Sequence, residues 1–289
     1  MSNILEVRGL SKRYKAFSLN AVDFAVPKGY IMGFVGPNGA GKTTTIKLIL
    51  GISRRDAGHV KLFGEEGTLE QNGRIGVVMD APPYVDDWTA NDVERAISPF
   101  YPRWNAEHYD GYLKRFGLDR KKKVKELSRG MRMKLQIAVA LSHNAELLIL
   151  DEPTSGLDPA ARDEICDLLR EFVTDENRSV LFSTHITSDL EKTADYITFI
   201  LNGKIAFTGA KDVLLEKYAR VTGGLRELDS GALRELIISC REHGTGFEGM
   251  IETVNVGKMP SGVFVEPISL DEIIIFMNKG VDSHAHINE

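Results

Sequence analysis

Cysteine is scarce in this chain: Cys166 and Cys240 are the only two in 289 residues. Two thiols so far apart in sequence cannot build a disulfide framework, and a reduced, cytosolic compartment is the expectation. Long apolar runs are lacking too. The longest, Ile137 to Leu141 and Ile273 to Met277, hold five residues, against the roughly 20 that a membrane-spanning helix needs. No basic-then-apolar leader opens the sequence. The protein is therefore expected to be soluble, with any membrane role coming through a partner. Basic charge is not in excess either. The net charge of −5 lacks the basic face a nucleic-acid binder uses, so no nucleic-acid partner is expected. No internal repeat and no low-complexity segment appears.

What remains is an ordinary globular composition, 43% hydrophobic and 27% charged, patterned as strands alternating with helices. Val22, Phe24 and Val26 alternate with Asp23 and Ala25, the period of a half-buried strand. Residues 30–35 (YIMGFV), 74–79 (RIGVVM), 147–150 (LLIL) and 180–183 (VLFS) are short apolar runs, as in strands buried on both faces. From about Trp88 to His143 the pattern is helical, broken at Pro99 to Pro102. Ser128 is placed to cap one helix, and Asp158 before Pro159 another. Residues 196–201 and 204–208 around Asn202-Gly203 read as a hairpin. Alternation of this kind gives an α/β fold with a mostly parallel sheet. In the last seventy or so residues, Leu233 to Cys240 reads as helix, Gly262 to Glu266 as strand and Leu270 to Met277 as helix, a small α+β appendage.

Gly36-Pro37-Asn38-Gly39-Ala40-Gly41-Lys42-Thr43 fits G-x-x-x-x-G-K-[ST] in full, between a strand and a helix. The glycines let successive N–H groups turn toward phosphate oxygens, and the helix start adds partial positive charge. Lys42 can reach the β- and γ-phosphates, and the Thr43 hydroxyl can bind Mg²⁺. Leu147 to Leu150 then ends in Asp151-Glu152. Neighbouring side chains at a strand end diverge, so Asp151 can serve Mg²⁺ while Glu152 serves an attacking water as general base. Lys125 to Lys134 (KELSRGMRMK) looks like a helix start without chemistry of its own.

In order, GPNGAGKTT at 36–44, LSRGM at 127–131, LLILDEP at 147–153, SGLD at 155–158 and STH at 183–185 resemble the ATP-binding-cassette (ABC) family. The resemblance is to the nucleotide-binding subunit of a transporter, over about residues 3 to 218. It implies a P-loop NTPase core, an N-terminal antiparallel β subdomain, a helical subdomain at about 84–145 and an accessory region at 219–289. It implies ATP and Mg²⁺ as ligands, a separate integral-membrane subunit and a second cassette, homo- or heterodimeric, at the cytoplasmic face of the membrane. Tyr14 takes the place of the aromatic that stacks on adenine, though a lone Tyr near a strand end is more often packing. The phosphate loop through Thr44 cradles the phosphates. Glu152, His185 and Lys42 act in hydrolysis, His185 as the switch on the γ-phosphate. Ser128 and Gly130 meet the ATP held by the other cassette, and Asp158, also a sufficient N-cap, speaks across the interface.

Two spellings depart from the family pattern. In LSRGM, Arg129 and Met131 replace the first glycine and the glutamine of LSGGQ, a variant resembling those of bacterial exporters of antibiotics and membrane-active peptides. After RIGVVM the family usually places Gln or Glu, and here stands Asp80; Gln71 precedes the strand and cannot substitute. Asp80 is expected to reach Mg²⁺ through water. Residues 81–87 (APPYVDD), with Tyr84 and Trp88, match the loop that receives the membrane subunit, and exposed aromatics suit an interface, although Trp88 fits a core as well. Residues 120–123 (RKKK) read as a solvated loop, with contact to anionic membrane as the sharper reading; His284 and His286 read as a frayed tail. A DNA- or ribosome-acting cassette is disfavoured because no heptad run lies between Lys42 and Asp151 and there is one cassette. A regulatory, non-hydrolysing cassette is disfavoured by Glu152. The chain carries no fused membrane domain or long regulatory β-barrel, which favours export of a drug, antibiotic or amphipathic peptide.

Overall fold

The structure, a computed structural model, describes residues 2–66, 73–229 and 231–285, with backbone only at 231, 232 and 279–285. Gln71 and His286, and the His284 side chain, lie outside the described residues. The chain divides into two compact units, Met1–Thr208 and Gly209–Glu289.

In the first unit the chain runs β1 (Asn3–Arg13), β2 (Ser18–Pro27), β3 (Ile31–Val35), α1 (Lys42–Ile49), β4 (Ala57–Leu62), β5 (Glu65–Glu66), β6 (Ile75–Val78), α2 (Ala90–Ile97) and α3 (Ala106–Arg115). It continues through α4 (Arg129–Leu141), β7 (Leu147–Asp151), α5 (Pro159–Phe172), β8 (Ser179–Thr184), α6 (Thr187–Thr193), β9 (Tyr196–Leu201) and β10 (Lys204–Ala210). An antiparallel sheet has the order β2-β1-β4-β5, and a six-stranded sheet the order β10-β9-β3-β8-β7-β6. In the latter β3 pairs in parallel with β8 and β9, and β7 with β6 and β8. All five residues of β3 and of β7 are buried, which is why both read as unbroken apolar runs rather than alternating ones. One core joins the two sheets: Val7, Val22 and Phe24 of the antiparallel sheet meet Phe34, Ile46 and Ile149, with the Phe24 and Phe34 rings stacked at 5.4 Å.

Local signals account for the helix ends. Thr89 and Asp92 form a reciprocal capping box on α2. Ser128 Oγ accepts from Met131 N at the start of α4, and Asp158 Oδ1 from Ala161 N at the start of α5. Asn202 (φ 47°) and Gly203 (φ 73°) turn the β9–β10 hairpin, the left-handed pair such a turn requires. Gly203 N–H donates to the Ala40 carbonyl (3.1 Å), so the hairpin turn props the phosphate loop.

Within the helical segment the structure corrects two expectations. Tyr84 is half-buried rather than exposed, and burial pushes its phenol far up; Trp88, which fitted interface and core alike, is half-buried too, and the exposed large apolar residues there are Val85 and Phe100. Arg120 is no solvated loop residue: its guanidinium bonds Asp110 (2.5 Å), Asn91 (2.8 Å) and Glu94 (2.7 Å), tying α2 to α3. At the end of α4, His143 is 1% exposed, with Nε2 on the Ile75 carbonyl (3.1 Å) and its ring 4.0 Å from that of Tyr101.

The second unit contains α7 (Lys211–Lys217), β11 (Tyr218–Gly224), α8 (Leu225–Leu228), α9 (Gly231–Leu236), β12 (Ile237–Glu242), β13 (Gly246–Glu252), β14 (Phe264–Pro267) and α10 (Leu270–Ala285). Its sheet has the order β12-β13-β11-β14. The helix expected over 233–240 stops at Leu236. Leu233, Leu236, Ile237 and Cys240 do follow a helical period, but Ile237 to Glu242 pair with β13, and the β-branched residues go to the ladder. The expected domain boundary at 218 falls earlier, because α7 packs against β11 and belongs with the second unit. Among the described residues no helix is long and apolar enough to cross a membrane.

Candidate functional site

The site forms where β3, β7 and β8 end together. Val35 is in register with Thr184, and Asp151 with Ser183, so the loops leaving these strands converge at their carboxyl ends, the usual ligand position in an open α/β sheet. They enclose a cavity of about 550 Å³ lined by Phe17, Asn38, Gly39, Gly41, Lys42, Thr43, Thr44, Asp80, Glu152, Ser155 and His185. That volume lies within the range of small-molecule sites.

The loop itself is closely built. A Cβ at Gly36 would fall 2.3 Å from the Ile200 carbonyl oxygen, and Gly41 has φ 114° with Phe17 where a Cβ would point, so both positions need glycine. Lys42, 6% exposed, donates from Nζ to the carbonyls of Gly36 (2.7 Å) and Pro37 (3.3 Å) and lies 3.2 Å from Glu152 Oε1. Gly36 and Ala40 do not line the cavity; they support the loop from beneath through these backbone bonds.

The two carboxylates diverge. Asp151, 1% exposed, accepts from Thr43 Oγ1 (2.7 Å) on one oxygen and from Ser183 Oγ (2.6 Å) on the other. Glu152 has φ 52°, an uncommon conformation for a non-glycine residue. It is held by N–H donation to Ser183 Oγ (3.0 Å) and the Ser183 carbonyl (3.1 Å). Its carboxylate reaches Lys42 and, through the other oxygen, His185 Nδ1 (2.8 Å). A hydroxyl beside a buried carboxylate is a hard-oxygen pair that fits Mg²⁺, which keeps several waters and takes few protein ligands.

Tyr14 stands apart. It lines an adjoining cavity of about 520 Å³ with Arg13, Lys15, Phe17, Gly39 and Asn202, and Tyr14 N–H donates to the Phe17 carbonyl (2.8 Å). Phe17 borders both cavities. Ser128, Gly130 and Asp158 do not line the phosphate-loop cavity, and Ser128 and Asp158 are exposed. Asp80 does line it, and its Oδ1 accepts from Arg129 Nη2 (2.8 Å).

Sequence reasoning missed Phe17, Ser155 and Ser183 as site residues. Phe17 was legible as a second aromatic in the turn that carries Tyr14, and Ser183 as the first residue of STH. Ser155 was legible in the same way, as the first residue of SGLD.

The chain matches the family model described as ABC transporter over residues 19–155. It is 35% identical over 205 residues to the lantibiotic transport ATP-binding protein SrtF of Streptococcus pyogenes, covering 70% of this chain and 89% of that one. It is 36% identical over 211 residues to the bacitracin transport ATP-binding protein BcrA of Bacillus licheniformis, covering 71% and 69%. A solved ATP-binding subunit of an ABC transporter superposes with a TM-score of 0.66 at 28% identity, over 73% of this chain and 91% of that one. With this loop, these carboxylates and these relatives, the chain belongs to the ABC transporter family as an ATP-hydrolysing cassette.

Proposed function

We propose that the protein is the motor subunit of an exporter of antibiotic-like or amphipathic peptide cargo. It works at the cytoplasmic face of the membrane on a separate membrane subunit, and two cassettes close on ATP. One observation carries this reading. Lys42, Thr43, Glu152 and His185 gather on a single cavity, while Ser128, Gly130 and Asp158, which carry two further motifs, lie outside it. Groups that finish a nucleotide site yet miss their own chain's cavity are explained if they finish a partner's. The export reading draws on the relatives that serve lantibiotic and bacitracin transport.

In this reading Lys42 and the turned N–H groups of residues 38–44 hold the β- and γ-phosphates. Thr43 and Asp151 would hold Mg²⁺, with Asp80 as a further oxygen that could serve it through water, and the ion would neutralise charge that develops on the phosphates. Tyr14 packs the adenine, with Phe17 as a second wall. Glu152 takes the proton of the attacking water. His185 Nδ1 lies 2.8 Å from Glu152 Oε2; a carboxylate only accepts, so a ring proton shared with it is spent there, and the ring must leave Glu152 to offer that proton to a γ-phosphate. The exchange couples arrival of the phosphate to release of the base.

Replacing Glu152 by Gln is expected to slow hydrolysis about 10²–10⁴-fold with ATP binding retained; near-normal turnover would sink the assignment. Ser128→Arg should leave fluorescent-ATP binding by the single subunit intact and abolish ATP-dependent dimers in sedimentation. A closed, active dimer of that variant would contradict the shared site. Co-purification of the membrane subunit would test transport directly.

A further inference from the structure

The two departures from the family spelling meet in space. Arg129, which replaces the first signature glycine, donates to Asp80, which replaces the usual Gln or Glu. The Arg129 guanidinium also lies against Gly156, where an added Cβ would be 2.9 Å from Nη1 and 3.1 Å from Cζ. One side chain thus bridges the second residue after β6, the start of α4 and the 155–158 loop.

A second bond pins the same place. Gln136, two turns further along α4 and 2% exposed, accepts from Met79 N–H on Oε1 (3.2 Å) and donates from Nε2 to the Met79 carbonyl (3.0 Å). Both polar ends of a buried amide are spent on one backbone residue. Met79-Asp80 is therefore held to α4 at two points, by backbone at 79 and by charge at 80. Pro82 and Pro83 follow and stiffen the departing chain.

We infer that Arg129 is a positioning residue that straps Asp80, in a chain's own nucleotide cavity, to Ser128 and Gly130, which serve the partner's. The inference rests on the shared-site reading above. Its consequence is that what Asp80 meets at one nucleotide is felt at the other without passing through the core of the subunit. The bond is suited to a relay because it is weak. Asp80 and Arg129 side chains are 55% and 53% exposed, and a pair in that setting shifts an equilibrium by up to about fivefold. It orders the start of α4 through Asp80 Oδ1, and is tuned rather than broken when the other carboxylate oxygen meets a water-bridged Mg²⁺. Since each dimer contains two such ends, losing the strap should weaken the dimer by up to about 25-fold.

The test uses the full chain carrying Glu152→Gln, with ATP and MgCl₂. Arg129→Ala should leave fluorescent-ATP binding by dilute monomer unchanged but raise the dimer dissociation constant in sedimentation by about tenfold. Asp80→Ala should also raise it, and the double variant should lose less than the product of the two single losses. In the ligand-free subunit, amide exchange should quicken around residues 128–132 in Asp80→Ala and around 79–82 in Arg129→Ala. A dimer constant for Arg129→Ala within about twofold of the parent, losses that multiply, or exchange changes confined to the mutated segment would each overturn the strap. A parent that stays monomeric with ATP would instead count against the shared site. The reciprocal exchange change would then decide the strap by itself.

Discussion

Ser183 is where fold and site share one hydroxyl, and Ser183→Ala separates them cleanly. The side chain is fully buried. Its Oγ donates to Asp151 (2.6 Å) and accepts from Glu152 N–H (3.0 Å). Alanine keeps the Cβ and removes the hydroxyl, and with it both bonds. Glu152 N–H keeps the Ser183 carbonyl at 3.1 Å, so that donor loses little. Asp151 is different: one oxygen keeps Thr43, and the other loses the partner that the structure gives it. A hydrogen bond to a buried carboxylate is worth about 1.5–3 kcal/mol. For a unit of this size each kcal/mol moves Tm by about 2–4 °C, so a fall of about 3–12 °C is expected from the two magnitudes. Calorimetry of the ligand-free full chain would read it, following the transition of the first unit. Turnover should fall as well, because Asp151 and Glu152 lose the group that spaces them. A Tm within about 1 °C of the parent, with normal turnover, would refute the claim that this hydroxyl organises the acidic strand end.

Burial, with a smaller push from the Arg103 charge, holds the His143 imidazole down at about 4 from its ordinary 6.5. The folded state thus binds this proton less readily than the unfolded chain. The neutral ring's contribution is complete above pH 6.5 and drains away as pH falls toward 4. His143→Gln should flatten the pH dependence of stability in that window by up to about 1.4 kcal/mol per pH unit; an unaltered slope in denaturation curves would rule His143 out. Tyr14→Ala and Phe17→Ala should each weaken fluorescent-ATP binding by about tenfold, the scale of base–aromatic stacking. If titrations show neither change, adenine does not lie at this end of the site.

What the sequence made legible follows from how local each signal is. The phosphate loop, the capping residues Ser128 and Asp158 and the Asn202-Gly203 turn are written within a few neighbouring residues, and the structure builds them where the spelling puts them. Features set by distant partners were hidden. Tyr84 looks like a surface aromatic until its burial in the helical segment is seen. Arg120 looks like one of four basic loop residues until Glu94 and Asp110 are brought to it. Residues 237–240 keep a helical period, and only β13 turns them into a strand. The two unusual spellings, Asp80 and Arg129, are forty-nine positions apart; read singly they look like two losses, and their meeting makes them one feature.

Glu152 carries a last consequence. A non-glycine residue held at φ 52° costs the fold about 1–3 kcal/mol. Glycine there would relieve that cost and remove the carboxylate that meets Lys42 and His185. A selection for heat resistance alone would therefore drift toward glycine at 152 and yield a hardier protein that holds ATP and does not spend it. Any programme to toughen this cassette must screen turnover alongside melting, or it will collect its own inhibitors.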